Sequence, residues 1–218
     1  MQRHINSAVL ALGLLCSGLA AADEHAPVAA PKISVGDSWT YQLTDLWKNE
    51  PGDLNRTEVT AVNDSDILAD IKHAATGALV AQTRFTREMN PFDLGKTHLD
   101  QAFVRYAFPL EVGKEWKSTA SGDNAAAGKR WRYQFEGKVV GWEKVKVPAG
   151  EFDALKIAVV GYFQGEQVSR RGGSGQLNET VWYAPAVNNY VKLEYNDTNL
   201  QGHPHNRHLW ELTDYARK

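Results

Sequence analysis

Few stretches of this chain carry side chains that could do chemistry, and the densest is His203-Pro204-His205-Asn206-Arg207-His208 near the C-terminus. A His-x-His pair on an extended segment aims two imidazoles from one face, the beginning of a zinc or copper site. His208 has the opposite strand parity from His203 and His205, so Pro204 would have to bend the chain to bring all three together, and only Glu211 stands near to complete a ligand set. The run therefore reads first as a polar loop before a last strand, with a metal site or hydrolase built on His203, His205 and His208 as the third alternative. A serine nucleophile needs a strained strand-to-helix elbow; the nearest text, Gly172-Gly173-Ser174-Gly175-Gln176, lacks the closing glycine and falls between strands. The carboxylate pairs Asp64/Asp66 and Glu151/Asp153 sit beside turns, where solvated Asp is the usual occupant, and could serve acid–base chemistry only if gathered in a cleft. Arg170-Arg171 on a Gly-rich tip reads as a solvated hairpin end. No catalytic residue and no cofactor is expected from this inventory.

What remains is aromatic. In 129–139 the residues Trp131, Tyr133 and Phe135 share one parity while Arg130, Arg132, Gln134 and Glu136 share the other. Successive strand side chains point to opposite faces, so this stretch presents one aromatic and one charged face. Trp39, Tyr41 and Leu43 alternate in the same way, and Phe103 and Trp210 fall in further strand-like text. Trp39, Tyr41, Phe103, Trp131, Tyr133, Phe135 and Trp210 are thus either ordinary core or the lining of a cavity, because the inner face of a curled sheet must be filled by its own side chains or by a ligand.

The elements that would position these residues are strands at hairpin spacing. Val147-Pro148-Ala149-Gly150-Glu151 is a turn, with 152–160 as the returning strand. Pro51-Gly52 marks a loop over 48–55, Asn63-Asp64-Ser65-Asp66 a second turn, and Thr76-Gly77 a third. The stretch 88–101 lacks either period and has room for a short helical turn, and 102–108 reads as a strand. Val112-Gly113-x-x-Trp116 echoes Val35-Gly36-x-x-Trp39; in each, a Gly would turn the chain and a Trp would plug one end of the sheet. Ten to twelve strands with little helix predict an all-β fold, a single strongly curled antiparallel sheet forming a half-barrel or incompletely closed barrel.

Arg3 and His4 precede the apolar run 8–15, and Ala20-Ala21-Ala22 supplies small residues for cleavage, so residues 1–22 read as a secretory signal peptide. The run is too short and interrupted to read as a membrane span, and no transmembrane segment is expected in the mature chain. Cys16 is the one cysteine; it follows Leu15 rather than the small residue that lipidation wants, so it reads as apolar filler of the leader. The mature chain would then have no thiol and no disulfide. Residues 23–34, with two prolines and no period, form a flexible lead-in to a single β domain over 35–218. A formal net charge of −2 argues against a nucleic-acid partner, which needs a clustered basic field.

Three segments together, Phe108-Pro109-Leu110-Glu111-Val112-Gly113-Lys114-Glu115-Trp116, then 147–157, then Trp182-Tyr183-Ala184-Pro185-Ala186-Val187-Asn188-Asn189-Tyr190-Val191-Lys192, resemble uncharacterised secreted or periplasmic bacterial domains. Those domains are similar in fold to the lipoprotein carriers of the periplasm, in which a curved antiparallel sheet surrounds an apolar concavity. This chain departs from the pattern where Asn188-Asn189 replaces a glycine, although Asn also tolerates positive φ. The resemblance implies a fold and names no functional residue. The leading expectation is a non-enzymatic periplasmic or secreted binding module for an apolar or lipid-like ligand. The alternative is an envelope structural or protein-interaction domain with no small-molecule ligand.

Overall fold

The alternation in 129–139 becomes part of the longest strand of the molecule in the computed structural model, which describes residues 25–125, 128–166 and 173–218. The leader read over residues 1–22 and the Arg170-Arg171 tip lie outside the described residues. The strands are β1 (Ser38–Asp45), β2 (Glu50–Val62), β3 (Asp66–His73), β4 (Leu79–Thr86), β5 (Asp93–Leu94), β6 (Thr97–Leu99), β7 (Glu115–Asn124), β8 (Lys129–Val147), β9 (Gly150–Glu166), β10 (Ser174–Ala184), β11 (Asn189–Asn199) and β12 (Pro204–Ala216). Among the described residues the one helical element is a 3-10 turn, Pro185–Val187.

All twelve strands pair antiparallel in one sheet of order β4-β3-β2-β1-β12-β11-β10-β9-β8-β7-β6-β5. Each strand except β4 neighbours its successor in sequence, and β12 returns to pair with β1, from Ser38↔Ala216 to Asp45↔His208. The all-β, incompletely closed barrel expected from the turn spacing is what forms. Its two edges, β4 and β5, are consecutive in the chain and almost meet. Phe92 N–H donates to the Arg84 carbonyl at 3.0 Å, and Thr83 Oγ1 donates to Asp93 Oδ2 at 2.8 Å. Leu79 and Val80, at the other end of β4, have no strand beyond them among the described residues and are more than half exposed. The seam is therefore stitched at one end and open at the other.

Curvature comes from large side chains meeting over small ones. A Cβ at Gly161 would lie 2.8 Å from Leu177 and 2.9 Å from Phe135, so these two side chains close over the β9 backbone from the strands on either side. The Trp116 indole lies over Gly137, where a Cβ would overlap it. The outward parity of β8 is charged, with Lys117–Glu136 at 2.7 Å and Lys138–Glu115 at 2.8 Å. A barrel crossing a bilayer would instead turn an apolar band outward.

Both opening turns read from sequence form, and they match bond for bond. Gly36 (φ 89°) donates to Val59 O, which returns a bond from its own N–H to Asp37 O; Gly113 (φ 85°) does the same with Val139 and Lys114. Trp39 is fully buried, its Nε1 donating to Val187 O at 2.8 Å, whereas Trp116 is half-buried and donates to Val104 O at 2.9 Å. Asn188 takes φ 57°, so the left-handed turn survives without glycine.

Three local expectations are corrected. Pro51-Gly52 lies inside β2; the turn falls earlier, where Asp45 Oδ1 accepts from the N–H groups of Trp47 and Lys48 and Asn49 takes φ 54°. Pro51 is tolerated opposite Thr44 because the pairing is already irregular there. The 88–101 stretch forms the short β5–β6 hairpin, turned by Met89 and Gly95 at positive φ, rather than a helical turn. Residues 102–108 are not a strand. They cross the barrel interior, where Phe103 stacks on Phe135 at 4.3 Å and Tyr106 packs edge-on to Tyr183 at 5.2 Å. Asn90 fixes this crossing by exchanging two hydrogen bonds with the Tyr106 backbone, at 2.9 and 2.8 Å. Within 25–34, Val28 exchanges two 2.8 Å backbone bonds with Leu110, and Ile33 joins the core.

Candidate functional site

The interior falls into two parts. One end is filled by Trp39, Phe103, Tyr106, Phe135, Leu155, Tyr183 and Leu212, each less than 2% exposed. The other end, where β8, β10 and β12 begin and β9 and β11 finish, encloses a cavity of about 780 Å³. Small-molecule sites commonly span roughly 300–1,000 Å³.

The apolar wall comes from inward positions of six strands: Leu43, Trp131, Tyr133, Phe163, Leu177, Leu193 and Trp210. Trp131 meets Phe163 edge-on at 5.6 Å, and Tyr133 stacks parallel on Phe135 at 5.6 Å, linking the cavity to the packed end. Of the seven aromatic residues singled out from sequence, Trp131, Tyr133 and Trp210 line the cavity; Trp39, Tyr41, Phe103 and Phe135 belong to the core.

The polar part of the wall was not anticipated. Arg105, carried by the crossing segment between the buried Phe103 and Tyr106, donates from Nε to Glu179 Oε2 at 2.8 Å and from Nη2 to Oε1 at 3.1 Å. Both side chains line the cavity yet are nearly buried, 12% and 3% exposed. Burial opposes the Arg105 charge, but Glu179 beside it outweighs that and raises the guanidinium pKa further. Bidentate Arg–carboxylate geometry combines charge with direction. Tyr190 stacks on Tyr41 at 4.3 Å next to this pair, and burial pushes its phenol up to about 12.

A second polar group lies on β11 and β12. Asp197 accepts the Tyr195 hydroxyl at 2.9 Å, the Asn206 N–H at 2.9 Å and the Asn206 amide at 3.0 Å. Burial, then the Asp197 charge, pushes the Tyr195 phenol upward. The β11–β12 pairing slips between Asp197 and Thr198, and this bulge leaves His205 without an opposite partner. It brings His205 and His208 onto the same cavity wall despite their opposite parity; His203 is not on it. Among the described residues no three His, Cys, Asp or Glu side chains gather as a metal site.

The remaining chemical candidates are dispersed. Ser174 lines the cavity as the first residue of β10, on a strand and not on an elbow. Asp153 pairs with Lys144 on the outer surface at 3.0 Å, and Asp66 accepts from the Asn63 amide at 2.7 Å in its turn.

No family model and no curated protein matches the sequence. Solved structures do match the fold. A protein designated a lipoprotein from Parabacteroides distasonis aligns over 88% of this chain and all of its own at a TM-score of 0.58 and 14% identity. An exported protein with YmcC-like fold from Bacteroides fragilis aligns over the same shares at a TM-score of 0.51 and 14% identity. At such identity the likeness establishes a shared architecture. Among the described residues no helix is long and apolar enough to cross a membrane.

Proposed function

We propose that this protein is a non-enzymatic module of the bacterial envelope, periplasmic or secreted, that holds an apolar or amphipathic molecule in the open end of its barrel. One observation carries the reading: a cavity of about 780 Å³ walled by Trp131, Tyr133, Phe163, Leu177, Leu193 and Trp210, which the described residues line without filling, although they pack the other end of the same barrel. Apolar wall of this kind favours an occupant at roughly 25 cal/mol per Å² removed from water. A leader over residues 1–22 and a fold shared with a protein designated exported and another designated a lipoprotein support the compartment. Native mass spectrometry of the mature protein purified from a bacterial envelope is the test. A ligand-bound mass that collapses to the bare chain after organic extraction is expected; a bare chain that also takes up no added amphiphile contradicts the reading.

The second reading, a protein-interaction domain of the envelope, draws on β4. Its exposed Leu79 and Val80 lie on an edge strand of the described sheet, where another chain can add a strand. A Val80→Lys change discriminates: loss of an envelope cross-link with cargo retained favours this reading.

A further inference from the structure

The nature of the ligand's polar end follows from the Arg105–Glu179 pair, provided that the cavity binds an amphiphile as above. A guanidinium has five N–H donors in a fixed fork. Two are used on Glu179, and among the described residues nothing accepts from Nη1, while Arg105 itself lines the cavity. Glu179 cancels the Arg105 charge at contact distance. Elsewhere on the wall the one lysine, Lys96, is outnumbered by Asp93 and Asp197, so the Lys, Arg, Asp and Glu side chains of the lining carry no positive excess. An anionic head brought here would lose its hydration without gaining a countercharge. An uncharged acceptor would meet the remaining Arg105 N–H, and a hydroxyl could also donate to Glu179.

We propose that the cavity selects an amphiphile with an uncharged polar head, such as an ester or amide carbonyl or a hydroxyl, seated on the Arg105–Glu179 pair with its chain against Trp131, Phe163 and Leu193. The pair thus discriminates between head groups.

The test titrates the mature protein with four compounds sharing one hydrocarbon chain: a monoacylglycerol, the fatty acid, the alkyl amine and the alkane. Displacement of a solvatochromic fluorophore is the readout. The monoacylglycerol is expected to bind at least about ten-fold tighter than the other three, a difference of about 1.4 kcal/mol. Glu179→Gln keeps the side-chain shape but leaves the guanidinium uncompensated, so the order should invert and the fatty acid should bind best. If that variant does not fold, Arg105→Met combined with Glu179→Leu removes both charges at similar volume, and monoacylglycerol and alkane should then bind alike. A wild-type preference for the acid or the amine, or equal binding of all heads, overturns the head-group assignment alone. So does an unchanged order in Glu179→Gln, or a doubly substituted protein that still prefers the monoacylglycerol. Binding of none of the four overturns the cavity reading along with it.

Discussion

The two ends of this barrel are made by the same strands with the same alternation, but they are filled differently. At the packed end, chain that belongs to no strand enters the interior: the 102–108 crossing contributes Phe103 and Tyr106, the 25–34 segment contributes Ile33, and the 3-10 turn contributes Val187. At the open end the non-strand residues Gly95, Lys96 and Arg105 line the space without filling it, and inward positions are taken by glycines and polar residues as well as aromatics. Gly165 and Gly173 lie beside the Trp131 ring, and a Cβ at Gly175 would overlap Phe163. Strands supply a curved wall, and whether the space inside is core or cavity depends on the connections. Arg105 and Glu179 mark the boundary.

The comparison breaks most readily at Trp39. Replacing it by Ala removes a fully buried indole and its bond to Val187, and should cost about 3–5 kcal/mol in urea unfolding. At the boundary, Arg105→Ala strands the nearly buried Glu179 carboxylate and should cost about 3 kcal/mol, while the double change to Met and Leu recovers most of it.

Alkaline pH acts on the same interior by a different route. Burial raises the phenols of Tyr41, Tyr106, Tyr183, Tyr190 and Tyr195, Tyr190 to about 12. Their folded pKa values lie above an unfolded value of about 10. Their contribution is therefore complete below about pH 10 and is lost as pH rises through the folded values. Stability should be flat from pH 7 to 9 and then fall by about 1.4 kcal/mol per pH unit for each phenol ionised only in the unfolded chain. A denaturation series across that range checks the sign.

Smaller effects sharpen the contrast. Trp131→Ala, at the half-buried open end, should cost only about 1 kcal/mol in stability yet abolish uptake of the amphiphile, the reverse of Trp39→Ala. Tyr106→Phe should be neutral or stabilising by up to about 1 kcal/mol, because the Tyr106 hydroxyl is buried with no partner among the described residues.

Much of the wall was legible in the sequence, whereas the boundary was not. The parity of Trp131, Tyr133 and Phe135, the Pro148-Ala149 hairpin and the two Gly-led opening turns are local signals, and each forms as read. Division of the aromatics between core and cavity is not local, since Phe135 and Tyr133 are neighbours on one face and only Tyr133 reaches the cavity. Arg105 was hidden because 102–108 alternates like a strand, and its partner Glu179 lies 74 residues away in a different element. Alternation cannot tell a strand in a sheet from an extended chain crossing inside one. His205 and His208 were assigned to opposite faces by parity, and a one-residue slip in pairing reunites them.

The division of the barrel is tested most directly by methyl NMR during titration with a monoacylglycerol. Leu43, Leu177 and Leu193 line the cavity, while Leu155, Ile157 and Leu212 lie in the packed end. Saturating shifts at the first three with little change at the second three is the expected result. Unmoved cavity methyls at saturating ligand, or shifts led by the packed end, would contradict a barrel with one end built to be filled from outside.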